Sequence, residues 1–149
     1  LYASRGNGIP QFMLEKAQEV AQIRKETLAR AIERGVPVVM GTDAGTPENF
    51  PGKNAMELVR YVREGLMTEM EALRASTKTA AEALGYDDRI GTLDPGKYAD
   101  LLVLETDPLR DIECLVRLES FTAIYKGGRK VKGSVDTSQW TSESPFSLA

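Results

Sequence analysis

The stretch that decides the fold is residues 35–47, GVPVVMGTDAGTP. Residues 36–40 are apolar and rich in β-branched side chains, which predicts a buried parallel strand, because a strand covered on both faces has no polar positions. Asp43 follows at the carboxyl end of this strand, the edge where parallel α/β proteins place their chemistry. Asp43 is therefore a candidate catalytic residue. The alternative is that Asp43 only caps a turn, since Thr-Asp shortly before the glycine at position 45 is ordinary turn chemistry.

The residues on both sides of this stretch predict helices. Apolar side chains recur at helical spacing over residues 11–34, and Gly35 ends this long amphipathic helix. Residues 47–53 (PENFPGK) then form a polar connection of the kind that often carries substrate contacts. Three short helices are predicted downstream: one ended by Gly65, one begun by the capping-box pair Thr68 and Glu71, and one begun by Thr77 or Thr79 and ended by Gly85. The alternation of helix and strand predicts an α/β fold.

The pattern changes after residue 86, where short strands and turns replace helical periodicity. Strands are predicted over residues 100–104, 121–125 and 129–135, and the last two flank Lys126-Gly127-Gly128, whose paired glycines permit a tight hairpin. Residues 107–111 predict a turn that leads into a short helical or irregular piece. We expect the polar tail, residues 136–149, to be poorly ordered.

The composition excludes several classes of protein. With 42% hydrophobic and 28% charged residues, the 149-residue chain is predicted to be a globular domain. Its net charge of −3 and its lack of a dense Lys/Arg cluster argue against nucleic acid as a partner. No apolar run is long enough to cross a membrane. The single cysteine, Cys114, excludes an intrachain disulfide and predicts a reducing, cytoplasmic setting.

Histidine is absent from the sequence. The usual general base and the commonest zinc ligand are therefore missing, so any metal site must be built from carboxylates or shared with another chain. Without a histidine to activate it, Cys114 is expected to be a small buried or half-buried hydrophobe. Lys97 and Asp100, in a Gly-Lys-x-Ala-Asp step into a strand, are interpreted as structural rather than as ligands.

Three motifs together resemble the C-terminal part of the metal-dependent amidohydrolase superfamily. They are GTDAGTP at residues 41–47, EALRAST with the following Ala80-Ala81 and Leu84-Gly85, and IGTLDPGKYADL at residues 90–101. Their order and spacing are most similar to the imidazolonepropionase-like and Xaa-Pro dipeptidase-like branch. The resemblance extends from about residue 11 to residue 135.

The resemblance implies a (β/α)8 TIM-type barrel with one or two divalent metals, zinc first among them, and a small β-sandwich. Residues 1–86 would be the C-terminal segment of the barrel, with residues 36–40 as its eighth strand, and residues 87–135 would be part of the sandwich. Asp43 would bind metal, take the proton from metal-activated water and pass it to the leaving nitrogen of a cyclic amide, dipeptide or N-acyl amino acid.

The chain also departs from the family pattern. The resemblance implies that the family's histidine ligands precede residue 1, and Asn49 to Gly52 stand where relatives often carry another histidine. One carboxylate cannot hold a catalytic metal that needs three or more protein ligands. Two hypotheses follow: a C-terminal part of a hydrolase in which Asp43 is the remaining catalytic residue, or a non-catalytic folding or interaction domain. We expect either a homo-oligomer or association with the missing N-terminal half.

Overall fold

The computed structural model describes residues 11–45 and 51–131. Helix α1 (Gln11–Glu33) is followed by three short helices, α2 (Met56–Arg63), α3 (Glu69–Ser76) and α4 (Lys78–Leu84). Two 3₁₀ helices, Ile112–Val116 and Leu118–Ser120, lie between strand β1 (Leu101–Leu104) and strands β2 (Phe121–Lys126) and β3 (Arg129–Lys130). The four predicted helices are thus present, and the turn at residues 107–111 leads into the first 3₁₀ helix as predicted.

The helix ends follow the capping chemistry expected from the sequence. At the start of α3, Thr68 Oγ1 accepts a hydrogen bond from the backbone N–H of Glu71 at 3.3 Å. The Glu71 carboxylate in turn accepts from the backbone N–H of Thr68 at 2.8 Å, which completes the capping box. Gly85 ends α4 in the left-handed conformation with φ +68°, where a residue without Cβ carries no steric penalty.

The three strands form one antiparallel sheet in the order β1-β2-β3. Leu101 lies opposite Tyr125, and Leu104 lies opposite Phe121 after a shift in register at Val103. Gly127 and Gly128 both have positive φ, +55° and +79°, as a tight two-residue hairpin requires. The carboxylate of Asp100 accepts from the backbone N–H of Gly127 at 2.7 Å and so holds the hairpin turn against the start of β1.

The hydrophobic core joins the helices to the 3₁₀ segment. Its buried members are Leu58, Val59 and Tyr61 of α2, Ala72 of α3 and Ile112 of the first 3₁₀ helix. Leu115 and Val116 pack against the same cluster. Residues from both sides of the predicted boundary at residue 86 therefore share one core, and the boundary itself stays a prediction.

Residues 36–40 do not form the buried parallel strand that the sequence predicts. They lie outside every helix and strand, and Val36 and Val39 are 52% and 39% exposed. The physical reason is that a two-sided strand needs hydrogen-bonded neighbours, and the described residues supply no parallel strand beside it. The barrel and the sandwich remain predictions. The tail, residues 136–149, and most of the predicted strand over residues 129–135 lie outside the described residues.

Candidate functional site

Asp43 occupies an unusual backbone conformation. Its φ is +48°, and it is the one non-glycine residue with positive φ among the described ranges 11–45 and 51–131. Asp and Asn tolerate this left-handed region better than other side chains. Residues held there cluster at active sites and ligand clamps. The outlier therefore supports the selection of Asp43 as a candidate functional residue, and its side chain lies at an exposed position.

The segment before Asp43 is held against the helices at two points. The Val36 N–H donates to the Ala31 carbonyl at 3.0 Å, where the chain leaves α1. The Met40 N–H donates to the Ala75 carbonyl of α3 at 3.1 Å, and the Met40 side chain packs against the core cluster. Asp43 thus follows a segment that is fixed to the core three residues earlier.

The residues present fit only part of a metal site. A carboxylate such as that of Asp43 is a suitable oxygen ligand for a divalent cation. The described part of the chain brings together no group of three or more His, Cys, Asp or Glu side chains that could hold a metal. With no histidine in the sequence, Asp43 among the described residues does not make a complete metal site by itself.

An apolar groove of about 560 Å³ lies beside the segment that leads to Asp43. One wall is a face of α1 that includes Val20, Ile23 and Leu28, and the other includes Val38 and Val39. We call this feature the α1 groove. Tyr61 of α2 lies in its lining together with Arg24 and Glu57, so part of the lining is polar.

Two charged residues in the lining of the α1 groove belong to an ion-pair network. Arg24 Nη1 lies 2.9 Å from Glu57 Oε1, and Arg60 Nη1 lies 3.5 Å from Glu57 Oε2. Glu57 is only 8% exposed, so the two cations compensate a nearly buried carboxylate. Burial, and then the negative charge of Glu57, raise the pKa of the Tyr61 phenol above its usual range. Sequence reasoning missed this network because it depends on how α1 packs against α2.

Lys97 and Asp100 have structural partners, as the sequence suggested. Lys97 donates to Thr92 Oγ1 and lies 3.5 Å from the carboxylate of Asp94. Asp100 is hydrogen-bonded by Lys126 and by the hairpin turn. Burial alone would raise the pKa of Asp100, but the bonds from Lys126 and Gly127 together outweigh it and lower that pKa.

Cys114 is fully buried in the first 3₁₀ helix, as predicted. Burial, followed by the nearby charge of Asp111, raises the pKa of its thiol. A thiol with a raised pKa is a poor nucleophile, so Cys114 contributes packing rather than chemistry.

The chain belongs to the amidohydrolase family, whose model matches residues 2–132. It is 34% identical over 132 residues to an ochratoxinase from Aspergillus niger, a match that spans 88% of this chain and 27% of that protein. It is 35% identical over 100 residues to an imidazolonepropionase from Solibacter usitatus, spanning 67% of this chain and 24% of that protein.

Solved structures give the same result. A Xaa-Pro dipeptidase structure with methionine bound in its active site matches with a TM-score of 0.71 and 33% identity, over 85% of this chain and 30% of that one. The structure of the A. niger ochratoxinase matches with a TM-score of 0.71 over 83% of this chain and 28% of that one. The chain thus spans less than a third of the length of these relatives.

Among residues 11–45 and 51–131, no helix combines the length and apolar character needed to cross a bilayer.

Proposed function

We propose that this chain is the C-terminal part of a metal-dependent amidohydrolase that cleaves a C–N bond in a cyclic amide, a dipeptide or an N-acyl amino acid. Membership of the amidohydrolase family supports the class of reaction. The relatives named imidazolonepropionase and Xaa-Pro dipeptidase support small cyclic and dipeptide substrates. The observation that carries the proposal is the positive φ of Asp43 at the end of a segment fixed to the core.

In this proposal Asp43 does two things. Asp43 would be one ligand of a divalent metal, with zinc the expected ion, and its carboxylate would accept the proton of the attacking water and deliver it to the leaving nitrogen. The bound metal would supply Lewis-acid activation, which makes water a nucleophile near neutral pH. The remaining ligands would come from parts of the protein outside these residues. We therefore propose that the 149-residue chain alone does not hydrolyse amides or dipeptides.

The test uses the product of the complete reading frame and replaces Asp43 by Asn. Asparagine keeps the size of the side chain and tolerates positive φ, so the change isolates the carboxylate charge. Turnover of a dipeptide or cyclic amide should fall by about 10²–10⁴, and further if metal is lost as well. Asp87→Asn, at an exposed turn position away from this segment, is the matched control and should leave turnover unchanged.

Two further measurements separate loss of metal from loss of folding as causes of reduced turnover. Metal content measured by atomic emission reports ligand loss, and circular dichroism reports folding. Asp43→Gly keeps the left-handed backbone but removes the carboxylate, so it should be as inactive as Asp43→Asn. Turnover close to that of the unmodified enzyme in either variant would return Asp43 to the role of a turn residue.

A further inference from the structure

The carbonyl groups at the C-terminal end of α3 are bonded in two different ways. A helix leaves the carbonyls of its last turn without partners in the same helix. The Leu73 carbonyl is satisfied locally, because it accepts from Ser76 Oγ at 2.9 Å and from Thr77 Oγ1 at 2.7 Å. The Ala75 carbonyl accepts instead from the N–H of Met40, at 3.1 Å. The end of α3 therefore holds the segment that leads to the candidate catalytic carboxylate.

Ala75 has a small side chain at a closely packed position. It is 3% exposed, and Ala72, three residues earlier on the same face of α3, is fully buried. Ala72 belongs to the core cluster against which the Met40 side chain packs. Met40 is thus held by α3 through its backbone and by the same core through its side chain. Extra methyl groups at Ala75 would displace the surrounding groups, because a close-packed interior gains volume only when its neighbours move.

The link from Met40 to Asp43 is short. Three residues span at most about 11 Å, so a displacement of Met40 is carried into the position of the Asp43 carboxylate. We propose that Ala75 is a positioning residue for the hydrolytic reaction: its carbonyl holds Met40, and its small side chain lets Met40 approach the end of α3. This inference rests on the proposed function of Asp43 and adds a residue that acts through it.

Substitutions at Ala75 in the product of the complete reading frame test the proposal, with turnover of a dipeptide or cyclic amide as the readout. Ala75→Val should lower kcat by about 10–100-fold and leave KM within about twofold, because a reacting group misplaced by about 1 Å costs up to about 10²-fold in rate. Ala75→Gly keeps the carbonyl and adds no volume but weakens the helix, so it should lower the thermal midpoint and leave kcat within about twofold. An unchanged kcat in Ala75→Val would overturn the proposal.

Ala123→Val in β2 is the matched control, since it makes the same change at another buried alanine, 8% exposed. It should leave kcat unchanged. Equal losses of kcat at Ala75 and Ala123 would assign the effect to general destabilisation and overturn the proposal. If Ala75→Val does not fold, Ala75→Ser decides with its single added atom: a loss in kcat of about threefold or more supports the proposal, and an unchanged kcat overturns it.

Amide hydrogen exchange on the same proteins measures the bond between Met40 and Ala75 directly. The Met40 amide should exchange at least about tenfold faster in Ala75→Val than in the unmodified enzyme, and at the unmodified rate in Asp43→Asn. An unchanged rate in Ala75→Val would overturn the proposal whatever the role of Asp43. Near-normal turnover in Asp43→Asn would overturn the proposed function and this inference together. Loss of turnover in Asp43→Asn combined with normal turnover in Ala75→Val would overturn this inference alone.

Discussion

Arg24 of α1 and Glu57 of α2 form the ion pair that ties the long first helix to the core, with Nη1 and Oε1 2.9 Å apart. Glu57 lies beside the buried residues Leu58 and Val59, so this contact connects the helix directly to the most buried part of the molecule. Arg24 also reaches Glu64, where its Nη2 lies 3.8 Å from Oε1. One guanidinium therefore bridges α1 and both ends of α2.

Arg24→Met should lower the free energy of unfolding by about 1–3 kcal/mol, because a nearly buried Glu57 loses a charged hydrogen-bond partner while the aliphatic stem is kept. Urea unfolding followed by circular dichroism measures the change. Lys16→Met is the control, since its pair with Glu19 is exposed on α1 and should contribute less than about 1 kcal/mol. Equal effects of the two variants would show that the Arg24 pair is an ordinary surface contact.

Thr68→Ala should destabilise the protein by about 1 kcal/mol, because it removes the hydroxyl that accepts from the Glu71 N–H at the start of α3. Thr68→Ser keeps the acceptor and should lie within a few tenths of a kcal/mol of the unmodified protein, of the order expected among capping residues. Chemical denaturation of the three proteins at pH 7 decides the point. Equal losses for Ala and Ser would assign the effect to the threonine methyl group instead.

The same capping box predicts a pH dependence. Hydrogen bonds from the backbone and hydroxyl of Thr68 hold the pKa of Glu71 below its ordinary value of 4.5. A carboxylate with a lowered folded pKa stabilises the fold above its unfolded pKa and loses that contribution as the pH falls through the folded pKa. The stability difference between the unmodified protein and Glu71→Gln should therefore be constant above about pH 5.5 and shrink below pH 4.5. A difference that is the same at neutral and strongly acid pH would contradict this.

Gly91→Ala should destabilise the protein far more than Gly96→Ala, although the two glycines have almost the same φ, +93° and +91°. A Cβ on Gly91 would lie 2.6 Å from the Cβ of Ala81 in α4, whereas a Cβ on Gly96 would meet nothing within 4 Å. Backbone strain at positive φ lowers the free energy of unfolding of both variants by about 1 kcal/mol. The clash adds about 1–3 kcal/mol at Gly91 only. Thermal unfolding of both variants measures the difference, and equal midpoints would contradict the packing of Gly91 against α4.

Local chemistry allowed much of the fold to be predicted from sequence. The C-terminal stop at Gly35, the capping box at Thr68 and the glycine hairpin at Gly127 each depend on a few neighbouring residues, and all are present. The pairing partner of a strand is not a local property. Residues 36–40 have the composition of a buried strand, yet they do not pair as a strand where the described chain supplies no neighbouring strand.

The candidate site, too, could be predicted from the sequence only in part. Asp43 was found from its place after an apolar run, and its positive φ adds an independent reason to select it. The Glu57 network and the α1 groove were missed, because they arise where α1 meets α2 and no spacing in the sequence encodes that meeting. Glu57 is a charged residue at a buried helix position, and such residues are rarely buried without a partner. The packing of α1 against α2 was needed to identify Arg24 as that partner.

The contact between α2 and the first 3₁₀ helix limits which segments can be exchanged between related proteins in a chimaera. Leu58 and Ile112 lie in one core, although the composition changes from helical to strand-like between them. A crossover at residue 86 that joined two diverged parents would combine the two halves of this core from different sequences. Viable chimaeras should therefore inherit α2 and residues Ile112–Val116 from the same parent.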